Sequence, residues 1–151
     1  LGVASRCPLG MPETIVTRPV VPSRRGLDMP FEPFPTSFWL TCPGAIQAVS
    51  RLEAEGWITK LEACLAQDPK AQREYEEAAR SYAAFRQTLL TEDELKWIET
   101  YRPSWYGIIC ESGVGGIPRG NKGLKCLHAH YAYYLATGIN PVGRFTRELL
   151  I

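Results

Sequence analysis

Eight of the chain's 12 prolines fall between Pro8 and Pro43, in the first third of its 151 residues. Each fixes its own φ and removes a backbone donor, so this stretch cannot be mainly helical. Two β-rich runs stand out within it, Thr14-Ile15-Val16-Thr17 and Ser37-Phe38-Trp39-Leu40-Thr41. They are expected to pair as strands across the loop of residues 18–36. Phe31 and Phe34 in that loop predict an arm packed on the rest of the chain, not a free linker.

After Pro43 the pattern turns helical. Ile46, Val49, Leu52 and Glu53 open an amphipathic segment that Gly56 ends. Trp57, Ile58, Leu61 and Leu65 continue a second helix to Asp68-Pro69, an N-cap followed by proline at the first helical position. A long helix follows, with Tyr75, Ala78, Ala79, Tyr82, Phe85 and Leu89 on one face and a Glu76–Arg80 pair on the other. Thr91 and Glu94 predict a capping box for a helix ending near Tyr101, before Pro103. A last apolar helix is expected from about Leu124 to Thr137, closed by Gly138. Asn140-Pro141 then turns the chain into a short C-terminal segment. The expected fold is α+β and mostly helical, a single domain. Its Pro-rich arm (1–43) carries a short β-hairpin packed on a helical core (44–151).

Composition narrows the function. A formal net charge of +1 argues against a general nucleic-acid binder, which carries a basic excess. No apolar run approaches a membrane span, and the N-terminus lacks the apolar stretch of a secretory signal. The five cysteines are an odd number without close-spaced pairs. Together these features predict a cytoplasmic protein with free or metal-bound thiols.

Three of the cysteines stand in activating contexts. Cys42 precedes Pro43 at the expected N-cap of a helix, where free N–H groups and the helix dipole stabilise a thiolate. Cys126 lies near the start of the last helix beside Lys122 and Lys125. Cys7 sits in the rigid turn Arg6-Cys7-Pro8-Leu9-Gly10-Met11-Pro12. Cys64 and Cys110 fall among apolar residues and read as core positions. The two histidines flank Ala129. Cys126 and His130 are four apart and share a helical face, whereas His128 joins them only if the helix begins after Cys126. Either imidazole completes a Cys₃His zinc set, serves as a proton donor, or sits hydrogen-bonded in the core.

The glycine-rich stretch Gly113–Gly123 leads into this helix with Arg119, Lys122 and Lys125 interspersed. Its expected role is to cradle a small anion beside Cys126, with Arg51 as a further cation. It fits neither the dinucleotide fingerprint nor the P-loop.

The motifs Cys7–Pro12, Pro33–Pro43, Ser50-Arg51-Leu52-Glu53, Gly113–Ile117, Lys125-Cys126-Leu127-His128 and Asn140–Gly143 resemble, over essentially the whole chain, the bacterial family catalogued as domain of unknown function 501. The resemblance brings no activity. It implies that Cys7, Cys42, Cys126 and His128 belong to signature motifs and that Cys64 and Cys110 do not. It also implies a histidine in many relatives where this chain has Tyr133. Three readings follow. One is an enzyme with an iron–sulfur cluster or zinc held by Cys7, Cys42 and Cys126. There Arg51, Arg119, Lys122 and Lys125 bind a small anionic substrate and His128 moves protons. Another is a structural Cys₃His zinc scaffold. The last is a metal-free enzyme with Cys42 or Cys126 as nucleophile and His128 as base. Oligomeric state is not encoded in any motif.

Overall fold

The computed structural model describes residues 2–26, 29–121 and 123–151. Strands β1 (Gly2–Arg6), β2 (Pro12–Val16) and β5 (Phe38–Leu40) form an antiparallel sheet in the order β1-β2-β5. The predicted pairing is present, with Ile15 opposite Trp39 and Thr14 opposite Leu40. β1 is an addition, returned onto β2 by the Cys7–Gly10 turn, where Cys7 N–H donates to Met11 O at 3.0 Å. Its sequence, GVASR, has no apolar alternation to announce a strand. Within the stretch expected as a loop, β3 (Val20–Pro22) and β4 (Phe31–Pro33) form a separate two-stranded ladder. Phe31 packs against Trp97 and Trp105, so the arm is docked as its aromatics predict.

The helices begin and end largely where local chemistry places them. α1 (Pro43–Ala54) has Cys42 at its N-cap, and Gly56, at φ 79°, separates it from α2 (Trp57–Gln67). Asp68 caps α3 (Pro69–Thr88), accepting from the N–H groups of Lys70 and Ala71. Thr91 and Glu94 complete the predicted capping box of α4 (Glu92–Tyr101). The short α5 (Pro103–Tyr106) runs into a π-helical turn over Gly107–Glu111. α6 (Leu127–Thr137) begins three residues later than the apolar run suggests. Glu62 holds the N–H of Leu124 at 2.8 Å and Glu53 holds that of Leu127 at 2.6 Å, keeping the approach extended. The expected C-terminal turn is the Asn140 cap of a further helix, α7 (Pro141–Leu150).

Phe38 and Leu40 of β5 join residues of α1, α2, α3, α6 and α7 in one apolar core. Tyr82 and Tyr133 meet edge to face at its centre, and Phe38 packs on both. Two readings need correction. Cys64 is exposed, because Leu61 and Leu65 form the buried stripe of α2 and the thiol falls beside it. Arg80 pairs with Glu77, one residue nearer than Glu76, at 2.7 Å. Cys110 is buried as expected.

Arg86 was not foreseen. It lies in step with Ala79 and Tyr82 on the inner face of α3 and is fully buried. Its guanidinium donates to the carbonyls of Pro35 (2.9 Å) and Gly113 (3.1 Å), to those of Ile109 and Ser112, and to the Ser112 hydroxyl (3.0 Å). One side chain thereby ties the arm, the π-helical turn and the glycine-rich stretch together.

Candidate functional site at the start of helix α6

Cys126 is the N-cap of α6, and its sulfur accepts the N–H of Ala129 at 3.4 Å. His128 therefore lies in the first turn, the condition under which it was expected to join Cys126. Its ring rests on the face of α1. Nδ1 donates toward Glu53 Oε1 at 3.1 Å, and Nε2 lies 3.2 Å from the Ser50 hydroxyl and 3.3 Å from the Ile46 carbonyl. Glu53 Oε1 also accepts the Leu127 N–H. The positive end of α6 is thus met by a carboxylate of the chain itself, at the terminus expected to serve an outside anion.

Among the described residues, the ligand atoms of Glu53, Cys126 and His128 all lie within 4.8 Å of one another, and all three side chains are half-buried. Cys7 and Cys42 do not belong to this group. Three sulfurs sharing one zinc at about 2.3 Å would stand no more than about 4.6 Å apart, and among the described residues no such trio is formed. Cys42 caps the N-terminus of α1, whereas Glu53 is in its last turn, about 16 Å along the axis at 1.5 Å per residue. Cys7 stays in its hairpin turn, half-buried.

The expectation of a lowered Cys126 pKa is corrected. Burial pushes the thiol up, with Glu53 adding in the same direction, and the N–H bonds and Lys125 do not outweigh them. No hydrogen bond joins Cys126 Sγ to the His128 ring. The Cys42 sulfur sits at the helix N-cap without a capping hydrogen bond.

A cavity of about 350 Å³ opens beside these residues. Phe38, Leu40, Ile46 and Val114 supply apolar walls, Trp39 stands at its edge, and Lys125, Cys126, His128 and His130 bring the polar atoms. Of the four cations expected around an anion, Lys125 lines this cavity, its ammonium 3.2 Å from Gly115 O. Arg51 is exposed on α1, Arg119 lines two other grooves and not this cavity, and Lys122 lies outside the described residues. His130 is fully buried, and burial lowers its pKa to about 4. Tyr133 is a core residue, its hydroxyl donating to Ala78 O at 3.3 Å.

Glu53 and Ser50 had no assigned role in the sequence, although a signal was present. Glu53 falls in step with Ile46, Val49 and Leu52, a carboxylate at the edge of an apolar stripe. Ser50 and Glu53 share one motif with the family resemblance, and Cys126 and His128 share another; the fold joins the two.

The profile of a family described as "Protein of unknown function (DUF501)" matches residues 3–148. The chain belongs to this family. No curated protein and no solved structure matches it. As a DUF501 member it inherits no named activity, and its chemistry has to be argued from the site itself. Among the described residues no helix is long and apolar enough to cross a membrane.

Proposed function

We propose that this DUF501 protein is a metal-dependent enzyme, with Glu53, Cys126 and His128 holding a divalent ion, zinc by the donor set, at the mouth of the α6 cavity. The observation that carries the reading is the approach of a carboxylate, a thiol and an imidazole to within 4.8 Å of one another. Three protein ligands plus one open position are what a catalytic zinc site uses. A bound ion would supply Lewis-acid chemistry to a small anionic substrate in the cavity. The chain's own part is positioning. In the metal-free chain Leu127 N–H fixes the Glu53 carboxylate, and Glu53 holds the His128 ring beside it. Binding would displace the Cys126 thiol proton, which explains how a buried thiol with a raised pKa serves as a ligand. Five unpaired thiols fit a reducing compartment, so the proposed location is the cytoplasm.

Elemental analysis of anaerobically purified protein tests this. The expected result is about one zinc per chain, retained in Cys7→Ser and Cys42→Ser and lost in Glu53→Gln, Cys126→Ser and His128→Gln. If Cys7→Ser and Cys42→Ser lose the metal while Glu53→Gln keeps it, the three-cysteine set is the true one. Brown protein absorbing near ~400 nm would make that centre an iron–sulfur cluster.

One observation favours a second reading. Ser50 Oγ, His128 and Glu53 are linked at 3.2 and 3.1 Å, the order of an acyl-transfer relay. In it Nε2 takes the Ser50 proton as Oγ attacks an acyl carbon, the leaving alcohol receives that proton, and water releases the acid. A metal-free chain whose Ser50 is labelled by a fluorophosphonate would establish this reading over the first.

A further inference from the structure

We infer that His130 reads the ligand of the α6 cavity: its Nε2–H donates a hydrogen bond to an acceptor oxygen on a small apolar molecule, specifically a carboxylate. The inference rests on the cavity being the ligand site proposed above, but not on the ion.

The tautomer follows from hydrogen bonding alone. Asn140 Oδ1 accepts the N–H groups of Val142 (3.0 Å) and Gly143 (3.2 Å), which fixes the orientation of its amide. Its Nδ2 must then face His130 Nδ1 at 3.0 Å as donor. Nδ1 is therefore the acceptor, and the neutral ring carries its hydrogen on Nε2. That atom is buried and has no partner among the described residues. An orphaned buried donor costs about 1–3 kcal/mol, and native structures rarely keep one without use.

His130 lines the cavity and Asn140 does not, and with Nδ1 committed to Asn140 the ring nitrogen still able to meet a ligand is Nε2. The same wall carries Lys125, whose ammonium meets a single carbonyl and forms no ion pair among the described residues. An N–H donor and an unneutralised ammonium among apolar walls complement a carboxylate on an apolar body. The volume is near the small end of the roughly 300–1,000 Å³ typical of ligand sites.

Titration of the full chain with phenylacetate, followed in the imidazole region of the ¹H–¹⁵N spectrum, tests this directly. The Nε2–H resonance of His130 is expected to move and saturate with phenylacetate and to stay in place with ethylbenzene. His130→Phe should weaken phenylacetate binding about tenfold or more, the worth of a hydrogen bond to a charged group. His130→Gln, which returns an N–H near the same place, should recover most of it. A resonance that phenylacetate does not move overturns the inference, as does equal binding by the Phe variant; the spectral test needs no variant to fold. Repeating the titration after chelation separates the two proposals. A shift that persists in protein shown never to hold zinc sinks the metal reading alone, and an absent shift in zinc-bearing protein sinks this one alone.

Discussion

Gly143 of α7 lies so close to His130 of α6 that a Cβ added to it would stand 2.5 Å from the His130 carbonyl oxygen and 2.3 Å from Tyr134 Cβ. The helices meet at the turn that supports the His130 ring. Because the obstacle includes backbone, Gly143→Ala is expected to cost about 3 kcal/mol or more. Gly44 in α1 is the matched control. Its added Cβ meets nothing within 4 Å, so Gly44→Ala should leave stability level or raise it by up to ~1 kcal/mol. Urea denaturation of the two variants checks both signs.

Arg86 is a buried cation that pairs with no carboxylate among the described residues and donates to carbonyls and one hydroxyl. Arg86→Met strands those acceptors and should cost about 3–5 kcal/mol. Arg86→Lys is expected to recover little, because a single ammonium cannot span a five-donor fork. The midpoint of chemical unfolding reads both, and a Met variant as stable as the native chain would refute the role.

Acid should loosen the fold through His130. Its folded pKa of about 4 lies below the ordinary value of 6.5, so between them the unfolded chain binds a proton that the folded chain refuses. The stability is fully present above pH ~6.5 and is lost as pH falls toward ~4, by up to ~3 kcal/mol. The Tyr75 ring beside it adds no charge there, since burial raises its pKa from 10.0. Unfolding midpoints across this range, in the native chain and in His130→Gln, should diverge, with the variant less sensitive to acid.

Glu94 has two partners. It closes the capping box on the Thr91 N–H at 2.8 Å and pairs with Arg18 of the arm. Thr91→Ala is expected to cost about 1 kcal/mol. Glu94→Ala should cost more, with an increment that shrinks in high salt because the Arg18 pair is partly exposed. Thermal melts at two ionic strengths distinguish the contributions.

What could be read in advance is what neighbours along the chain decide. Asp68-Pro69, Thr91 with Glu94, Gly56 and Gly138 punctuate helices through contacts a few residues long, and each stands where its chemistry puts it. Cys126 and His128 were legible as a pair for the same reason. Glu53 was hidden because its partners are 74 and 75 residues away, and a glutamate on a surface helix ordinarily meets water. Arg86 was hidden likewise, its acceptors being carbonyls that no side-chain pattern reports. The thiol chemistry misled because a helix N-terminus suggests a low pKa, while the burial that raises it depends on the folded whole.

The cavity is walled on one side by β5, within the first 40 residues, and on the other by α6, close to the end of the chain. An occupant that fills it would touch both and work as a clasp, so separating the arm from the helices would require letting the occupant go. Occupancy should therefore be legible to a protease: cleavage in the proline-rich arm slows as the site fills, by a factor that follows ligand concentration over its dissociation constant. That gives an assay for finding the natural ligand that presupposes no reaction.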